Sequence, residues 1–217
     1  MRKKYLLMAV AAVLVFGAVL GGSLAALNTT TNQAAVTEIS TNQFQVGLES
    51  ATETVSEEVL ETSAHPGDVV DVSYNIANTG SNEDYSMYVR ATIYKQWSDA
   101  SLDGEEIHLF DNEAKDAETY DADLEASGWI VGYEDSEEIV LYYSKELTPG
   151  DATSNLFEGV LFSERLGNEY TDCSVTLSIE IDAVQSTGAV AAMRAEWGVS
   201  PTMADDGTIT AISDTWD

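Results

Sequence analysis

Side chains able to do chemistry are scarce in this chain. Its 217 residues include two histidines, one cysteine, and 38 aspartates and glutamates against nine lysines and arginines. A hydrolytic zinc centre needs several nitrogen, sulfur or carboxylate ligands and a general base. His65 stands beside Pro66 at a turn, His108 lies in Ile107-His108-Leu109, and no His-Glu-x-x-His helix occurs. Both read as ordinary loop histidines. The weak metal candidates are Asp99, Asp103, Glu105, Glu106, His108 and Asp111, whose oxygens suit calcium and, with the imidazole, zinc. They lack the Asp/Asn/Gly spacing of an EF-hand loop. No Gly-x-Ser-x-Gly elbow and no glycine-rich phosphate loop is present. Cys173 is alone, so a disulfide within the chain is impossible. It falls in phase with Val175, Leu177, Ile179 and Ile181 and reads as a small buried hydrophobe; the alternative is a reactive thiol or one bridging two chains. No catalytic group and no resident cofactor is expected.

Charge narrows the partners. The formal net charge is −29, which repels phosphates and anionic lipid surfaces, so nucleic acid is not expected. Hydrophobic residues make up 44% of the chain, enough for a core.

Elements that would position any site are mostly strands. Residues 66–94 read as a Pro66-Gly67-Asp68 turn, a strand, an Asn78-Thr79-Gly80 turn and a second strand. Val70, Val72, Tyr74 and Ile76 alternate with polar residues, as do Met87, Val89, Ala91 and Ile93 with the opposite face. The two strands are expected to be antiparallel neighbours at the centre of a sandwich. Residues 42–48 alternate Phe44, Val46 and Leu48 as a first strand, and 52–62 form an edge strand or loop. Residues 128–133 and 138–147 look like a hairpin, and Pro149-Gly150-Asp151 repeats the earlier turn before a strand over 155–163. Residues 172–184 alternate most cleanly, with Cys173 to Ala183 facing in. Thr187 is expected to cap a short helix near Gly188–Trp197 that ends at Gly198.

Between the strands, residues 97–126 hold eleven acidic side chains against one lysine. This acidic inserted loop reads as a solvated excursion, a calcium site or an interaction loop, with a small helix or hairpin around 107–110. The tail 199–217 is a last strand over 208–212 or a loose end.

At the other end, Arg2-Lys3-Lys4 precedes an uncharged apolar run over 5–20 and small residues to Ala25. That is an export signal with a cut between Ala25 and Ala26; kept uncleaved, it would anchor the chain in a membrane. The expected plan is a signal over 1–25, a flexible segment over 26–41, a sandwich domain over 42–198 and the tail. Within 26–41, residues 34–39 could pair as a strand.

Several pieces together resemble the TasA/camelysin family. They are the leader ending Gly21-Gly22-Ser23-Leu24-Ala25, Asn42-Gln43-Phe44-Gln45-Val46-Gly47, Pro66-Gly67-Asp68, Asn78-Thr79-Gly80 and Tyr88-Val89-Arg90. Tyr142-Tyr143, Leu147-Thr148-Pro149-Gly150, Asn168-Glu169-Tyr170, Ala183-Val184-Gln185 and Ala195-Glu196-Trp197-Gly198 follow in order. The resemblance implies an all-β, jelly-roll-like antiparallel β-sandwich, a leader handled by a SipW-type signal peptidase, and a role as a secreted protein of the extracellular biofilm matrix. It implies self-assembly into fibres by addition of an N-terminal strand, here within 26–39, to the next subunit, alongside other matrix proteins. Two rivals are a camelysin-like metal-dependent endopeptidase and a monomeric calcium-binding surface or adhesion module. The start Ala26-Leu27-Asn28 lacks the aromatic common after such leaders, and the acidic insertion and the tail depart from the pattern.

Overall fold

The computed structural model describes residues 29–32, 47–50, 60–80, 86–102 and 104–214, with only the backbone given at 29–32, 47–50 and 60–61. The leader with Ala25 and Ala26, residues 34–39, Phe44, Val46 and Asp103 lie outside the described residues. Twelve strands are described: β1 (Thr29–Asn32), β2 (Gly47–Ser50), β3 (Leu60–Ser63), β4 (Val69–Ala77), β5 (Met87–Trp97), β6 (Ile107–Phe110), β7 (Trp129–Glu134), β8 (Glu138–Tyr143), β9 (Phe157–Phe162), β10 (Ser174–Gln185), β11 (Val199–Met203) and β12 (Ile209–Asp214). One sheet has the order β1-β10-β5-β8-β7, with β3 also on β10; the other has β2-β4-β9-β6; β11 and β12 form a hairpin. All the pairings are antiparallel, so the protein is the expected all-β sandwich with a short helix.

The core lies between the two large sheets, and period two explains it. Met87, Val89, Ala91 and Ile93 from β5, Val175 to Ala183 at alternate positions of β10, and Tyr74, Ile76, Phe157, Val160 and Phe162 from the other sheet form one buried cluster. Cys173 joins it as the sequence suggests.

Four expectations need correction or completion. β4 and β5 are not neighbours: they lie in opposite sheets. Alternation identifies a buried face but not the partner across the ladder. The chain changes sheet after Asn78, which is buried and tied by Asn78 Nδ2 to the Leu147 carbonyl at 3.0 Å and by its Oδ1 to the Gly80 amide at 3.0 Å. The acidic span is a solvated excursion only in part: most of its charged side chains are exposed, but a strand stands at 107–110 in place of the expected small helix or hairpin. It supplies β6 at the edge of the second sheet, a 3-10 turn at Ala117–Thr119, and helix α1 (Tyr120–Ser127), which buries Tyr120 and Leu124. Thr187 caps nothing: Gly188, in the left-handed region, is the N-cap of α2 (Ala189–Ala192) without a side-chain bond. A wider π turn at Met193–Trp197 continues α2 and stops at Gly198, also left-handed. The tail is a hairpin, not a loose end.

This C-terminal unit makes a third layer. Ala189, Ala192, Met193, Trp197, Val199 and Ile209 pack on Tyr88, Tyr142 and Val184, on the outer face of the larger sheet. The two Pro-Gly-Asp turns share one device. The Asp68 amide donates to the His65 carbonyl and the Asp151 amide to Thr148, both glycines have positive φ, and each aspartate accepts a bond from the first residue of its turn.

Candidate functional site: the outer edge of strand β10

β10 has two edges of different kinds. One is paired along its length with β5, from Val175 opposite Trp97 to Gln185 opposite Met87. The other is covered in two pieces. β3 pairs with Ser174 to Leu177, and β1 pairs with Glu180 to Ala183, Thr30 opposite Asp182. Thus the segment nearest the expected cleavage site is a strand added to a sheet edge, held there through main-chain pairing.

Polar groups fix the end of β10 that pairs with β1. Asp182 is buried opposite Arg90, whose Nε donates to Asp182 Oδ2 at 2.9 Å and whose Nη2 donates to the same oxygen. Burial alone would lower the proton affinity of Arg90, but the bonds and charge of Asp182 more than reverse this. The guanidinium also lies 5.6 Å from the Trp197 ring centroid, so the third layer closes over the pair.

Sequence-nominated residues scatter by comparison. Asp99 is exposed and accepts from the Ser101 amide at 2.9 Å and hydroxyl at 2.7 Å, and these bonds lower its pKa. Glu105 and Glu106 sit in a 3-10 turn before β6. With His108, Lys115 and Arg165 they line a cavity of about 590 Å³. His108 is half-buried, and burial first, then Lys95, lowers its pKa. Asp111, at the far end of β6, is half-buried and its pKa is pushed up to about 6 by burial, then by Glu158 and Asp123. Among the described residues, no group of three or more histidine, cysteine or acidic side chains is arranged to hold a metal ion.

His65 and Cys173 border one further cavity of about 430 Å³. His65 Nδ1 is 2.9 Å from Asp68 Oδ2, and the Cys173 thiol donates to the Glu169 carbonyl at 3.8 Å. Each is thereby held within its own loop. Sequence reading missed the association of Asp111 with Glu158, since Glu158 belongs to a later strand and only the pairing of β6 with β9 brings them together. It also missed Arg90 with Asp182. Both stand on the polar faces of their strands, in phase with Thr92 and Tyr94 and with Ser178 and Glu180, so nothing in the alternation marked them out.

No helix among the described residues is long and apolar enough to cross a membrane. No family model, curated protein or solved structure matches the chain.

Proposed function

We propose that the chain is a secreted structural protein, of the kind its resemblance to the TasA/camelysin family suggests, that polymerises by N-terminal strand addition. The supporting observation is the seating of Thr29–Asn32 on the Glu180–Ala183 edge of β10. A short strand paired only at an edge can leave its own sheet and enter the same place on a second copy, because the contacts are identical. Such a head-to-tail exchange does not close on itself and yields a filament. The polar sequence Thr29-Thr30-Thr31-Asn32 gives the free segment little tendency to collapse.

Electron microscopy of two forms tests this, one beginning at Ala26 and one at Asn42. Filaments from the longer form alone support strand addition. Filaments from both, or from neither at low pH and high salt, overturn it. Stoichiometric zinc with chelator-sensitive proteolysis would turn the reading toward a peptidase. A persistent monomer stabilised by calcium would turn it toward an adhesion module.

A further inference from the structure

β1 has little in its own composition to fix where it sits. Thr29-Thr30-Thr31 repeats one side chain, and a polar strand of this kind slides readily along a ladder. The outer edge of β10 leaves room to slide. β1 ends with Asn32 opposite Glu180, β3 begins with Leu60 opposite Leu177, and no described residue stands opposite Ser178 or Ile179 on this edge. Something other than the run of threonines must set the register.

Hydrogen bonds on the opposite edge of β10 identify which residues meet. The Ser98 amide donates to the Ser174 carbonyl at 2.8 Å and the Ser186 amide to the Ser86 carbonyl at 2.9 Å, and the pairing of β10 with β5 runs between them without a shift. Even-numbered residues of β10 thus turn their main-chain groups to β5, and odd-numbered residues turn theirs to the β1 edge. Thr30 and Asp182 are therefore a non-hydrogen-bonded pair, the kind whose Cβ positions lie closest. Of the two charged residues on β10, Glu180 is half-buried and Asp182 is buried. Arg90 Nε and Nη2 both donate to Asp182 Oδ2, and the guanidinium lies 5.6 Å from the Trp197 ring centroid. A carboxylate held in such a place favours a donor across the ladder and disfavours a further oxygen.

Asn28 and Asn32 flank the threonine triplet. A slip of two places in either direction sets one of these asparagines opposite Asp182 and brings an amide oxygen to the carboxylate. A slip of one place moves both asparagines to the face of Ile181 and Ala183, which is the core face. Among these registers, only the observed one offers Asp182 a hydroxyl residue and keeps the asparagines off the core face. We propose that Asp182, held by Arg90, is the register mark for the β1 strand added from a second copy, and that it selects Thr30 as its partner. This rests on strand addition itself and adds to it one fixed spacing between successive subunits.

Disulfide trapping between copies tests this. Both copies begin at Ala26 and carry Cys173→Ala, so each has a single introduced thiol. The donor carries Asn32→Cys. The acceptor carries Glu180→Cys, which reads the observed register, or Ser178→Cys, which reads a slip of two places. Oxidised filaments should hold about 5-fold more donor–acceptor disulfide with Glu180→Cys than with Ser178→Cys, the selectivity of one good cross-strand pair. In a donor with Thr30→Val the excess should fall to about 2-fold or less, because valine keeps the branched shape and strand preference but loses the hydroxyl. An acceptor with Arg90→Leu and Asp182→Leu should lose it as well, and serves if the valine variant fails to fold. Equal trapping at both positions with Thr30 in place, or an excess that persists in either variant, overturns the register mark and leaves strand addition standing. No donor–acceptor disulfide at either position overturns strand addition, and the register mark with it.

Discussion

Arg90 and Asp182 stand directly opposite each other on β5 and β10, and two guanidinium nitrogens donate to one carboxylate oxygen. Asp182 is almost wholly buried, while Arg90 keeps a partly open edge. Removing one partner strands the other. Asp182→Ala should cost roughly 3 kcal/mol in urea unfolding, the low end for a broken buried pair because water can still reach Arg90. Replacing both residues with leucine should recover most of that loss. A double variant as unstable as the single would contradict this account.

Gly159 shows how closely the second sheet is packed. A Cβ there would sit 2.3 Å from the Phe110 ring and 2.7 Å from the Val70 carbonyl oxygen. The ring can turn, but the carbonyl is fixed by its strand. Gly159→Ala is expected to destabilise the domain by roughly 2 kcal/mol. Thermal unfolding measures it, and an unchanged Tm would show that β4 and β9 can separate freely.

Asp111 gives a pH signature in global stability. Its folded value of about 6 is raised above the ordinary 3.8, so the unfolded state gives up this proton first as pH rises. The carboxyl favours folding below the lower value and loses that contribution as pH passes through about 6. At neutral pH, Asp111→Asn should therefore stabilise the chain by about 1 kcal/mol, discounted because the group is half-exposed. Denaturant midpoints read the difference, which should vanish in acid.

The proposed strand addition would depend on the backbone of β1. Proline removes a donor from the ladder, and in an antiparallel pair only alternate residues donate to a given neighbour. The double variant Thr30→Pro, Thr31→Pro therefore breaks pairing with Ile181 and Asp182 whichever residue donates. Filaments should disappear while the core keeps its melting temperature within a few degrees. Normal filaments would remove β1 from the mechanism.

Charge sets the conditions of any self-association. With a net charge of −29, copies repel, and the sequence pI is about 4.1. Filament growth should quicken as pH falls toward that value or as salt screens the carboxylates. Light scattering over a pH and salt series reads this; a flat response would assign the barrier to something other than repulsion.

The strands with a continuous apolar face were legible in the sequence. β5 and β10 alternate over eleven and twelve residues, and β7 and β8 pair as the expected hairpin. Partner choice was not, as β4 and β5 show, because it depends on where the chain changes layer rather than on either strand's composition. β6 was hidden by length and company: four residues, Ile107-His108-Leu109-Phe110, inside an acidic run. The same run hid α1, whose charged surface disguises the buried Tyr120 and Leu124. Acidity was plain from composition, yet the carboxylates that help to raise the pKa of Asp111, Glu158 and Asp123, come from other elements. The final hairpin was obscured by Pro201, which an edge strand tolerates.

The divided edge of β10 has a consequence in time. Thr30 lies near the start of the chain and its partner Asp182 near the end. A chain made from its N-terminus presents β1 long before its own β10 exists. During that interval β1 has no place in its own sheet. If strands are exchanged as proposed, this waiting period is when β1 is free to enter the vacant β10 edge of another copy.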